Sequence, residues 1–254
     1  MSEPQRTWQT VAGLLLLCFL LYFWELGQIP FYNYEESKEA LVVWEMVNGG
    51  GWILPLRNGI EIPLKPPLFH WCGALIALIS GKVNEFAVRS PSAFFATATV
   101  LLTFFFGQRL WNWRVGLFAA LALATSPEWV RWATYARSDM VLVFFLTAAG
   151  VTFFQLWQER ATRRRTLYLF YLSVGLATLA KGPLGLVLPG LVVLFFLGVS
   201  RELHFIRQMR LVEGAVIVFL AAASWYLLAW WQAGDAFFRR QILDENLYRF
   251  LENE

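Results

Sequence analysis

Four groups of ionisable residues interrupt an otherwise apolar chain. The first is Glu35-Glu36, followed by Lys38 and Glu39; the second is Lys65, before Pro66-Pro67; the third is Arg137-Ser138-Asp139; the fourth is Lys181, before Gly182-Pro183. A carboxylate within hydrogen-bond reach of a hydroxyl can act as a general base. Lysine and arginine can bind a phosphate, the first as a point charge and the second as a planar fork. Cations so placed also stabilise the negative charge that develops on a departing phosphate. Together these residue types could perform group transfer from a phosphorylated donor.

Each group also has a plainer reading. Glu35 and Glu36 could be the acidic first turn of a helix, where carboxylates meet the positive helix end. Lys65 and Lys181 could snorkel from an apolar stretch to an interface. Ser138-Asp139 could simply cap a helix. Arg89 could pair with Glu85 or meet anionic lipid. The two His and two Cys are scattered and form no zinc-type cluster, and a Cys18–Cys72 disulfide is not expected. No cofactor is indicated, and a divalent cation on the carboxylates is left open.

The elements that must position these residues are membrane helices. Of 254 residues, 58% are hydrophobic and only 15% charged, where soluble domains carry about 25% charge. That composition excludes an ordinary soluble domain, and the net charge of +3 suggests no nucleic-acid partner. Apolar blocks at 10–29, 88–107, 115–127, 140–157, 166–180, 183–199 and 211–230 read as spans, several near the lower end of the roughly 17–25 residues a crossing needs. The predicted fold class is an all-α polytopic membrane protein. It has about seven transmembrane helices and juxtamembrane helices in a long first external loop. The domain reading is one transmembrane domain over 1–254, an external loop at 31–87, and an external amphipathic tail at 231–254 leading toward a missing carboxy-terminal part. The first apolar run lacks a small-residue cleavage pattern and reads as a retained span.

Within 31–87, EESKEALVVWEM reads as an interfacial helix stopped by Gly49-Gly50-Gly51; Glu35 and Glu39 share its face. Asn58-Gly59 predicts a tight turn, and Pro66-Pro67 can open a short helix over 68–80. If 68–80 does not cross, the loops holding Arg109 and Arg114, then Arg160, Arg163, Arg164 and Arg165, then Arg201, Arg207 and Arg210, fall on one side, the cytoplasmic one. Glu35, Glu36, Lys65, Asp139 and Lys181 then gather on the other side, although none of them was used to set the topology.

The ordered motifs Glu35-Glu36, Lys38, Glu45-Met46, Gly51-Trp52, Lys65-Pro66-Pro67 with Trp71, NEFAVRSPSA, Arg137-Ser138-Asp139 and Lys181-Gly182-Pro183 resemble those of the polyprenyl-phosphate-sugar-dependent membrane glycosyltransferases of the C-type fold. The nearest groups are the protein O-mannosyltransferases and the lipid A aminoarabinose transferases. The resemblance covers the amino-terminal half of such enzymes. It implies catalysis at the periplasmic face of the bacterial inner membrane. The donor is a polyprenyl-phosphate-linked sugar and the acceptor a lipid, glycan or protein, in an inverting displacement aided by a carboxylate base. It places the catalytic carboxylate on Glu35, where the family usually has Asp, with Glu36 able to share the role and Asp139 helping to build the site. Lys65, Lys181 and Arg137 become the donor-phosphate candidates. Membrane lipid is a further partner, and the half length leaves room for a partner subunit. Two other classes stand beside this one: a transporter or lipid carrier, which predicts repeated halves and broken helices at mid-membrane, and a non-catalytic scaffold of the same shape.

Overall fold

The backbone of an apolar segment must satisfy its own polar groups where no water reaches, and the helix does this within one segment. The computed structural model describes residues 3–31, 33–159 and 163–241. Among them the backbone is helical throughout apart from loops, with one isolated antiparallel bridge between Arg57 and Glu61 and no strand. Helix α1 (Glu3–Cys18) runs on through a π-helical turn at Phe19–Phe23. Then follow α2 (Tyr34–Val47), α3 (Leu68–Ser80), α4 (Glu85–Leu110), α5 (Trp113–Ala124) and α6 (Pro127–Ala133). Helices α7 (Asp139–Glu159), α8 (Arg164–Lys181) and α9 (Leu184–Val199) come next. A 3₁₀ segment at Leu203–Met209 leads to α10 (Leu211–Val218), which continues through a π turn into α11 (Ser224–Phe238).

Among the described residues, four helical stretches are long and apolar enough to cross a membrane: Pro4–Phe23, Glu85–Leu110, Asp139–Glu159 and Leu211–Gln241. Leu68–Ser80, Trp113–Ala124 and Leu184–Val199 are shorter apolar helices. The last long stretch carries a break at Gly234, whose φ of 56° is left-handed and suits a residue without Cβ. Residues 231–241 of the expected tail therefore continue the helical segment past a sharp bend. Asp244, Glu245 and Arg249, like Arg160 of the basic loop, lie outside the described residues.

Several local expectations hold. Helix α2 ends before the glycines and carries Glu35 and Glu36 in its first turn; its cap, Asn33, is a finding of the structure. Pro67 is the N-cap of α3. Asn58 and Gly59 both take left-handed φ values, 55° and 70°, and close the Arg57–Glu61 turn. Gly182, at φ 77°, separates α8 from α9 directly after Lys181. Gly185 then lets α9 lie against α8, since a Cβ there would stand 2.2 Å from the Ala177 and Thr178 backbone. Cys18 and Cys72 are both free.

Two expectations are corrected. Helix α2 does more than lie on an interface: Val42, Val43 and Met46 are buried in one cluster with Phe69, Ala74 and Ala77 of α3, Ala87 and Val88 of α4, and Ala177 and Ala180 of α8. Small alanines on the facing helices permit that close packing. Ser138, offered as a cap for α7, has a buried hydroxyl without a hydrogen-bond partner, and the helix begins at Asp139.

Candidate active site

The first turn of α2 sends two neighbouring carboxylates to different places. Asn33 Oδ1 accepts from Glu35 N at 2.8 Å, which sets the turn, and Asn33 Nδ2 reaches the Tyr135 hydroxyl at 3.4 Å. A helix rotates about 100° per residue, so Glu36 points into the bundle while Glu35 stays half exposed. Glu36 is fully buried. Its Oε1 accepts from Arg89 Nε at 2.8 Å and from Ala136 N at 2.9 Å, and its Oε2 accepts from Arg89 Nη2 at 2.9 Å. Arg89 also donates to the carbonyls of Leu26 and Ile29. The partner of Arg89 is thus Glu36, from a distant stretch, and not the expected Glu85. This bidentate pair ties α2, α4, the turn after α1 and the loop before α7 at one point. It leaves Glu36 no access to a substrate.

Glu35 instead opens on a cavity of about 170 Å³, lined also by Lys38, Glu39, Arg57, Glu61, Lys65, His70 and Arg137. Lys38 Nζ donates to Glu35 Oε1 at 3.0 Å and sits 3.9 Å from the Tyr34 ring centroid. That hydrogen bond, aided by the charges of Lys38, Arg137 and Lys65, holds the Glu35 carboxyl below the usual glutamate range. The carboxyl is therefore ionised at neutral pH, as a base must be.

Below Glu35 on the same helix face, Glu39 meets His70 of α3. A carboxylate can only accept, so His70 donates Nε2–H to Glu39 Oε2, at 2.5 Å. Burial pushes the Glu39 carboxyl up, but His70, Lys65 and Arg137 outweigh it and hold the net shift downward. His70 is 1% exposed, and its Nδ1 is buried without a partner.

Lys65 lines the cavity and, among the described residues, has no carboxylate within bonding distance, yet it acts electrostatically on Glu35, Glu39 and Asp139. Arg137 lines the cavity as well, with Nε 3.4 Å from Asp139 Oδ2. Asp139 Oδ1 accepts from Lys181 Nζ at 2.5 Å. Asp139 and Lys181 thus pair with each other and do not line the cavity. On the far wall, Arg57 and Arg240 both pair with Glu61, and Gln241 Nε2 donates to the Pro63 carbonyl at 2.5 Å. The burial-opposed charge of Arg57 is reinforced by its hydrogen bond to Glu61, which raises its pKa, while that same bond lowers the pKa of Glu61. Among the described residues no three His, Cys, Asp or Glu side chains converge as a metal ligand set.

Sequence reasoning had not assigned Glu39, His70, Arg57, Glu61 or Arg240 to the site. Signals existed for the first two: Glu39 follows Glu35 by four residues, one helical turn, and His70 is one of only two histidines, placed just after Lys65-Pro66-Pro67. Nothing local links Arg240 to Glu61, because that contact depends on the bend at Gly234.

Comparison with known proteins agrees with this architecture. The undecaprenyl phosphate-alpha-4-amino-4-deoxy-L-arabinose arabinosyl transferase of Shewanella sediminis is 34% identical over 74% of this chain and 35% of its own. An uncharacterized Aquifex aeolicus protein is 33% identical over 84% of this chain and 42% of its own. The crystal structure of ArnT from Cupriavidus metallidurans bound to undecaprenyl phosphate superposes with a TM-score of 0.85, at 22% identity, over 96% of this chain and 45% of that one. The S. cerevisiae protein O-mannosyltransferase Pmt1-Pmt2 complex bound to the sugar donor gives 0.66, at 16% identity, over 93% of this chain and 35% of that one. The chain spans about half the length of these relatives or less. Its fold is that of ArnT, and it is a multi-pass membrane protein. Residues 64–230, well over half of the chain, match the family described as dolichyl-phosphate-mannose-protein mannosyltransferase, and the chain belongs to that family.

Proposed function

We propose that the chain forms the amino-terminal, catalytic half of a glycosyltransferase that moves a sugar from a polyprenyl-phosphate donor to an acceptor at the periplasmic face of the bacterial inner membrane. The observation that carries this reading is the shared cavity. Glu35, ionised and half exposed, opens on the same space as Lys65 and Arg137. The undecaprenyl phosphate named for the Shewanella and Cupriavidus relatives supports the choice of donor.

In this mechanism the donor phosphate lies against Lys65 and Arg137. An acceptor hydroxyl or phosphate gives its hydrogen bond, and then its proton, to Glu35. The acceptor oxygen attacks the anomeric carbon from the side opposite the carbon–oxygen bond to phosphate. That bond breaks, its electron pair goes to the phosphate oxygen, and the configuration inverts. Polyprenyl phosphate leaves as an anion against the cations, so no general acid is needed, unlike in glycosidases. Lys181 holds Asp139, Asp139 orients Arg137, and Arg89 with Glu36 fixes the turn that presents Glu35. Positioning supplies much of the remaining acceleration.

The topology that accompanies this reading has seven crossings, made by α1, α4, α5, α7, α8, α9 and the α10–α11 segment. Helix α3 stays on the active side, and the arginine-rich connections face the cytoplasm. The test is sugar transfer from an undecaprenyl-phosphate sugar in proteoliposomes. Replacing Glu35 with Gln should lower the rate by about 10²–10⁴-fold, and Lys65→Met should raise the donor requirement. Transfer undiminished in both variants refutes the site.

A further inference from the structure

The Glu39–His70 pair has no part in the displacement just described, yet it forms the wall of the same cavity. Glu39 uses one carboxylate oxygen, Oε2, on His70. Among the described residues this is the one hydrogen bond of the carboxylate, so its other oxygen is left to accept, and Glu39 lines the cavity. His70 cannot swing away, because it is 1% exposed and packed edge-on against Phe69, with centroids 5.6 Å apart. The carboxylate is thereby held through one oxygen while its residue lines the ligand space. It stands one helical turn from Glu35 and within electrostatic reach of Lys65 and Arg137.

A carboxylate held by a buried imidazole serves packing poorly, since desolvating it offsets most of what the contact returns. An apolar pair would join α2 to α3 as well. An acceptor held in a cavity wall does, however, read hydrogen-bond donors on a bound ligand. Bonds from a neutral donor to a charged acceptor are among the stronger ones. The cations Lys65 and Arg137 would take the phosphate, so the part of the donor next to them, near Glu35, is the sugar ring.

We propose that Glu39, held by His70, is a sugar-reading residue that accepts a hydrogen bond from a hydroxyl or ammonium group on the donor's sugar ring. The proposal rests on the donor reading above and deepens it. Glu39 acts on substrate recognition, and His70 is its positioning residue.

Two ligands separate recognition of the sugar from recognition of the phosphate: undecaprenyl phosphate itself, and undecaprenyl phosphate carrying mannose or 4-amino-4-deoxy-arabinose. Their affinities are measured for the 254-residue chain in nanodiscs. Wild type should bind at least one sugar-bearing carrier more tightly than the bare carrier. Glu39→Gln, which keeps shape and can still bond to His70, should weaken that sugar-bearing carrier about tenfold and change the bare carrier less than about twofold. A loss confined to the amino sugar identifies an ammonium contact, and a loss for mannose identifies a hydroxyl contact. His70→Gln should give a smaller loss in the same direction. Normal binding of the bare carrier shows that each variant is folded. Equal losses for bare and sugar-bearing carriers, or no loss for either, overturn the inference and leave the phosphate reading standing. A wild-type chain that binds no carrier at all overturns both.

Discussion

Glu35 and Glu36 are adjacent and chemically identical, and the structure assigns them opposite consequences. Glu36 is fully buried, receives three hydrogen bonds, and faces an Arg89 that is 4% exposed. Glu36→Gln leaves the Arg89 guanidinium in the bundle without a counter-charge. Breaking one side of a buried ion pair costs about 3–5 kcal/mol, because the remaining charge is desolvated and uncompensated. That is a large share of the roughly 5–15 kcal/mol that holds a typical protein folded. Glu35 has 45% of its side chain exposed and pairs with Lys38 three residues on, a helix contact worth about 0.2–0.5 kcal/mol. Glu35→Gln should therefore change stability by less than about 1 kcal/mol while removing the proposed base. The assay is unfolding of each purified variant in the same detergent, followed by transfer activity in those that remain folded. Replacing both Glu36 and Arg89 by neutral residues of similar volume should recover part of the loss, since no lone charge is left. Equal destabilisation by the two glutamate variants, or a neutral Glu36→Gln, would refute the reasoning.

The pH response follows from the Lys38–Glu35 hydrogen bond. The folded-state pKa of Glu35 is lowered, so its small contribution to stability is present above the ordinary glutamate range and is lost as pH falls through the folded value. The acid limb of the transfer rate should lie below that range. Lys38→Met removes the largest cause of the shift and should move the limb upward; a limb that stays in place shows that another group sets it. A second perturbation concerns the α8–α9 hairpin that carries Lys181. Gly185→Ala places a methyl 2.2 Å from the Ala177 and Thr178 backbone. The two helices must part at a cost of about 1–3 kcal/mol, which a lowered unfolding midpoint would register and an unchanged one would contradict.

Much of the scaffold was readable from short-range chemistry. The glycines after Val47, Pro67 before α3, Asn58-Gly59, and Gly182 after Lys181 each mark a boundary that backbone sterics enforce locally. The apolar blocks and the charged groups between them were equally plain, because burial of apolar surface and the cost of bare charge in a membrane act residue by residue. The motif order carried the family.

Which charges meet was another matter. Arg89 is four residues from Glu85 in sequence and pairs with Glu36, and Glu61 is met by Arg240 from the far end of the chain. Lys181 reaches Asp139 and stays off the cavity wall, while His70, on the short apolar helix that follows Pro66-Pro67, holds Glu39 inside it. Residue type and spacing determined that carboxylates and cations would gather at one end of a helical membrane protein. The direction in which each side chain points depends on helix rotation and on how α2, α3, α4 and α7 pack together. Tertiary structure alone therefore decided that Glu35 is open, that Glu36 is a buried tie, and that Lys65 lines the cavity beside Glu35.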